Sequence, residues 1–143
     1  MNAVDTNILI YAVDANEPVK SSRAQQFLRN IADRPEPLVI PWQVCVEFLA
    51  CLRRWENTGR TVRADTEEYL GQFLEPLPTV FPTTSLLRYS LDLSSRHSLS
   101  HWDSLLIAAC IDAGINRLYS EDMGDGMAYD SVLIVNPLIT RTL

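Results

Sequence analysis

Four acids, Asp5, Glu47, Asp103 and Asp122, stand where this chain could do chemistry. Asp5 closes the run Asn2-Ala3-Val4 and is followed at once by the apolar stretch Ile8 to Tyr11. That pattern reads as a buried strand ending at Asp5, with Thr6 and Asn7 turning the backbone into a helix. The carboxyl end of a first strand is where open α/β sheets place their ligands, and it is equally a place where aspartate caps a helix. Asp122 has a matching position after Arg117 to Ser120, in a glycine- and acid-rich loop that would also welcome a turn-forming aspartate. Asp125 offers a further oxygen donor in that loop, while Glu121 should point away.

The other two acids lie on helices. Glu47 falls inside the apolar stripe Val44, Phe48, Cys51, Leu52 and Trp55, on the face where an amphipathic helix should carry no ionised group. A carboxylate turned to a core must be paired or bound to a metal, so a buried arginine partner is the alternative for Glu47. Asp103 stands just before the stripe Leu106, Ile107, Cys110 and Ile111, and is also the last residue of a possible capping box, Ser100-His101-Trp102-Asp103. Two strand-end acids and two helix acids can converge at one edge of a sheet. Oxygen donors with no histidine or cysteine nearby favour Mg²⁺ or Mn²⁺ over zinc. Such a cluster suits phosphodiester hydrolysis, in which a metal lowers the pKa of a water and steadies the leaving oxygen. Without metal the like charges should push some of these pKa values up.

The elements that must position these acids alternate along the whole chain. Helices are expected over Ile8–Val13, from Pro18 to about Asp33, from Trp42 to about Trp55, over Asp65–Leu74 with Asp65 or Thr66 as cap, from Thr84 to about His97, and over Trp102–Ala113 after the cap Ser100 and before Gly114. Strands are expected at the start, over Leu38–Ile40, Thr79–Phe81 and Arg117–Ser120, and over Val132–Val135. That alternation implies an α/β fold, a parallel sheet covered on both faces.

The bulk properties set bounds. The 143 residues suit one domain, 1–143, with 47% hydrophobic and 21% charged residues as in a globular protein. Cys45, Cys51 and Cys110 lie in apolar patterns without a CxxC pair, which points to reduced, buried thiols and a cytoplasmic setting. No run is long and apolar enough for a membrane span, so no membrane association is expected. A net charge of -6 argues against bulk electrostatic coating of nucleic acid, but acids gathered to hold a cation raise the negative count in just this way. Among the basic residues, Arg53, Arg54, Arg60 and Arg63 cluster near the end of the third helix, either as phosphate contacts or as a solvated face. For Trp102 core packing is expected.

The segments VDTNILIYA, PWQVCVEFLA, SHWDSLLIAA and LYSEDMGDG, in this order, resemble the PIN-domain ribonucleases, and in particular the VapC-like toxins of type II toxin–antitoxin pairs. The resemblance covers essentially the whole chain. It implies a PIN-like three-layer α/β/α domain whose central parallel sheet has the order 3-2-1-4-5. It further implies an Mg²⁺-dependent endoribonuclease acting on RNA, a homodimer, and a small cognate antitoxin that neutralises it. By motif, Asp5, Glu47, Asp103 and Asp122 correspond to the metal-binding catalytic acids, with Thr6, Asn7 and Ser120 as the polar residues supporting them. Two alternatives stay open: a catalytically weak PIN fold that only binds RNA or a partner, and a non-nuclease α/β signalling domain with an acidic Mg²⁺ pocket. A phospho-acceptor receiver of that second kind would want a lysine late in the sheet, and the single lysine here is Lys20.

Overall fold

The structure, a computed structural model, describes residues 1–139. The expected domain runs to residue 143, and its last four residues lie outside the described ones. In chain order the elements are β1 (Asn2–Val4), α1 (Thr6–Ala12), α2 (Pro18–Ala32), β2 (Leu38–Pro41), α3 (Trp42–Asn57), α4 (Arg63–Tyr69), β3 (Thr79–Val80), α5 (Ser85–His97), α6 (His101–Asp112), β4 (Arg117–Tyr119), β5 (Ala128–Tyr129) and β6 (Val132–Val135). A π-helical turn, Leu70–Leu74, continues α4. Val62 precedes α4 without a side-chain cap, and Asp65 lies in its first turn instead of capping it.

The strands form one sheet in the order β3-β2-β1-β4-β6-β5. All pairs are parallel except β5 with β6. The five parallel strands thus follow the expected order, the last of them being β6. The short antiparallel β5 lies within the expected glycine- and acid-rich loop, since Asp125-Gly126-Met127-Ala128-Tyr129 has no alternation long enough to mark a strand. Every residue of β1 is buried, with Ala3 and Val4 fully so, and that requires cover on both faces of the sheet. The helices supply it in groups, α1 packing on α2 and α3, and α5 on α6. The core holds Ile8, Leu9, Phe48, Leu52, Ile107 and Ile134, all fully buried. No helix among the described residues is long and apolar enough to cross a membrane.

This arrangement places the site. Chain order sends β2 and β3 to one side of β1 and β4 to the other, so the sheet reverses direction of growth between β1 and β4. Crevices form outside the carboxyl ends of the strands at such a point. Asp5 and Ser120 follow immediately after these two strands, and the Asp5 N–H donates to the Tyr119 carbonyl at 2.8 Å, extending the β1–β4 ladder by one bond. Gly114, at φ 74, ends α6 and turns the chain back into β4.

Two expectations about exposure fail. Trp102 is 63% exposed and does not pack in the core. It begins α6 on the surface side and lines an apolar groove with Trp42, Val46, Phe81 and Leu87. Of the thiols, Cys110 is buried but Cys45 and Cys51 are only half-buried; all three are free.

Candidate active site

Asp5, Glu47, Asp103 and Asp122 line one open pocket, together with Thr6, Asn7, Ile10, Tyr11, Ala50, Cys51 and Arg54. Each acid arrives by a different route. Asp5 is the N-cap of α1, its Oδ1 accepting from the Thr6 N–H at 2.7 Å. The capping role therefore stays with Asp5 and does not pass to Thr6 or Asn7, as the opening strand reading would have it. Its second oxygen is free for another duty, and Oδ2 accepts from the Ser120 hydroxyl at 2.8 Å. Cap and site residue are one.

Glu47 projects from the second turn of α3 and is half-buried. Among the described residues no arginine compensates it. Instead Oε2 accepts from the Thr6 hydroxyl at 2.7 Å, and Oε1 from the Gln43 amide at 2.9 Å. Gln43 lies one turn before Glu47, a spacing that places the two side chains on the same helix face. The same amide also donates to the Trp102 carbonyl, tying α3 to the start of α6.

Asp103 sits in the first turn of α6. Ser100 caps that helix through a bond from the Asp103 N–H at 3.2 Å, but the return bond of a capping box is not made. Among the described residues the Asp103 carboxylate accepts no hydrogen bond. The apolar-stripe argument for Asp103 also needs correction. Helix α6 buries Ser104, Leu106, Ile107, Ala108 and Cys110 and is enclosed around most of its girth, so its periodicity marks no single face.

Asp122 follows β4 by three residues, and its Oδ2 accepts from the Asn7 amide at 3.0 Å. Ser120 is the hub of this corner. Fully buried, it donates to Asp5 and accepts from the Asp122 N–H at 3.2 Å and more weakly from Asn7 at 3.4 Å. Asn7 closes the loop by accepting from the Glu121 N–H at 3.3 Å. Asp125 does not line the pocket; its Oδ1 accepts from the Asn136 N–H at 2.8 Å, fastening the loop to the end of β6. Glu121 points away, as expected, to Tyr11 and Lys20.

The electrostatics centre on Asp5. Burial lifts its carboxyl from the ordinary aspartate range to about 6, opposed by the bonds from Ser120 and Thr6 and reinforced by the charges of Glu47 and Asp103. Repulsion among the acids thus contributes, as the sequence suggested, but desolvation is the larger cause. The pocket also holds a thiol that linear reading did not bring there. Cys51 lies one turn beyond Glu47 on α3, and burial raises its pKa, which keeps it protonated and a poor metal ligand.

The donor chemistry fits a hard divalent cation: four carboxylates on one pocket, with no imidazole among its lining residues. As the side chains are placed, no three of the described His, Cys, Asp and Glu residues are close enough to hold an ion together. Oxygens of Asp5, Glu47 and Asp122 are instead bound by Thr6, Gln43, Asn7 and Ser120, which hold those three carboxylates in orientation. Outer partners of this kind orient ligands and tune affinity. Ser120→Ala is accordingly expected to weaken any metal-dependent activity about 10- to 100-fold. It should also raise the Asp5 pKa further, readable by NMR titration of the Asp5 carboxyl. An unchanged titration would remove Ser120 from this role.

A doubly wound α/β domain with carboxylates gathered where the sheet reverses is the class that fold and pocket define. Within it, the chain belongs to the PIN domain family, whose model matches residues 3–124. Solved structures share the fold over nearly its full length. A toxin–antitoxin complex from Klebsiella pneumoniae superposes with a TM-score of 0.67 at 16% identity, covering 96% of this chain and 98% of that one. VapC20 of Mycobacterium tuberculosis, a toxin that cleaves the sarcin–ricin loop, gives 0.59 at 18% identity over 85% and 90% of the two chains. VapBC2 from Rickettsia felis, solved on a DNA fragment from their promoter, gives 0.66 at 13% identity over 93% and 96%. At these identities the shared property is the fold. No curated protein matches the chain.

Proposed function

We propose that this protein is the toxin of a toxin–antitoxin pair and acts as an endoribonuclease dependent on Mg²⁺ or Mn²⁺. The observation that carries the reading is the gathering of Asp5, Glu47, Asp103 and Asp122, from four distant segments, on one pocket of a PIN fold. Membership of the family and the toxins among the structures that share the fold support it further. In this reading the four acids hold the ion, which when bound would supply an activated water and charge stabilisation at the phosphate. Thr6 and Gln43 orient the two oxygens of Glu47, Ser120 orients Asp5, and Asn7 orients Asp122, and an ion would have to draw these carboxylates together from where they now stand. The products would carry a 5′-phosphate and a 3′-hydroxyl. By the same family reading a small antitoxin neutralises the protein, which works as a homodimer in the cytoplasm.

The test is direct. Purified protein should cut an unstructured single-stranded RNA with Mg²⁺ or Mn²⁺, stop on chelation and resume when metal is restored. Cleavage indifferent to chelation would refute the metal role. Tight RNA binding without cleavage under any divalent cation would favour the binding-only PIN fold.

A further inference from the structure

Arg54 lines the acid pocket, and among the described residues it is the pocket's one cation. The basic residues around it are otherwise engaged or turned elsewhere. Arg60 pairs with Asp14 at 2.9 Å and lies over the Trp55 ring at 4.2 Å. Lys20 pairs with Glu121 at 3.1 Å. Arg63 pairs with Glu67, and both it and Arg53 line a different groove, between α3 and α4. Arg54 is exposed and has no carboxylate partner among the described residues. The Cys51 thiol, one turn back on α3, lies within hydrogen-bonding reach of it.

Helix geometry fixes where this guanidinium stands relative to the acids. Glu47, Ala50, Cys51 and Arg54 follow one another at helical spacing on a single face of α3. Arg54 is therefore two turns beyond Glu47, about 10 Å along the axis. Ala50 between them carries only a methyl group, so the face forms a shallow floor leading from the carboxylates to the cation. A chain of net charge -6 with four acids in its pocket repels a polyanion. A bound divalent cation would offset that charge only at the acids themselves. A guanidinium farther along the same floor offers the fork that matches a phosphate.

Resting on the ribonuclease reading, we infer that Arg54 binds a backbone phosphate of the RNA flanking the one held at the carboxylates. It is a substrate-binding residue that sets the register of the strand across the pocket. The alternative is an arginine that is merely solvated, and the two differ in measurable ways. With a short fluorescent single-stranded RNA, Arg54→Ala should raise KM about tenfold, the scale of one lost charge-assisted contact, with kcat changed less than about threefold and the thermal midpoint unmoved. The plot of log affinity against log salt should lose about 0.7 in slope, the share of one phosphate contact on a single strand. Arg54→Lys should restore the slope and part of the affinity. Arg53→Ala, on the other groove, should match the parent. Parental KM and parental salt slope in Arg54→Ala, with the parent protein cleaving RNA normally, would overturn this inference and leave the ribonuclease reading intact. A parent protein that cuts no RNA with Mg²⁺ or Mn²⁺ would overturn both.

Discussion

Asp5→Asn is expected to lower metal-dependent RNA cleavage by more than about 100-fold, beyond what changing an outer partner of a metal ligand costs, while making the fold more stable. The two effects share one cause. Asp5 is only 8% exposed, and burial raises its carboxyl to about 6. An acid whose pKa is raised by folding binds protons more readily folded than unfolded. Its ionisation therefore subtracts stability as pH climbs from about 4 to about 6, and the full penalty persists above that window. Two pKa units correspond to about 3 kcal/mol, an upper bound. Asparagine keeps the acceptor for the Thr6 N–H but disturbs the Ser120 bond, so a net gain of about 1–2 kcal/mol remains. In chelator, denaturant melts should show the variant the less stable below pH 4, by the disturbed Ser120 bond alone, and the more stable above pH 6. A variant less stable than the parent at pH 7 would contradict the desolvation argument. Parental cleavage would contradict the assignment of the site.

Asp103→Ala separates chemistry from folding more cleanly. Its carboxylate takes no hydrogen bond among the described residues and is half-buried at the start of α6. Truncation removes little structure beyond a favourable charge near a helix N-terminus, worth about 0.3–1 kcal/mol. On the proposed function, the growth arrest caused by expressing the parent in bacteria should nevertheless disappear with this variant, because one of the four proposed metal-holding acids is gone. Arrest that persists at equal protein levels would mean that toxicity comes from binding and not from cleavage. Together the variants probe the acid most bound into the fold and the acid least bound into it.

Some of this could be read from the chain and some could not, for identifiable reasons. Glu47 was visible because an ionised residue interrupted an apolar stripe, and on α3 that stripe does face the core through Val44, Phe48 and Leu52. The same reasoning reached Asp103 on weaker ground, since α6 is buried on most sides and has no stripe to interrupt. Trp102 departs from the expected core position because it occupies the exposed first turn of α6, where nothing in the linear pattern of a large aromatic beside apolar residues marks it as surface. Arg54 was in view only as one of several arginines. Its distinction is three-dimensional: its neighbours are paired or lie in another groove. The alternative of an arginine partner for Glu47 is not met among the described residues, and a threonine from α1 and a glutamine one turn back hold its oxygens.

The pocket's acids lie at positions 5, 47, 103 and 122, and the bonds that orient them join residues up to 115 apart in sequence. Contacts of such long range form late, because loop closure must be paid for before they return anything. Asp5 waits for β4, the penultimate parallel strand, to deliver Ser120. A growing or partly folded chain carries some of the acids but not their arrangement. On the proposed toxin function, harm to the cell would begin only once the fold is complete, which would leave a neutralising partner the whole period of synthesis in which to arrive.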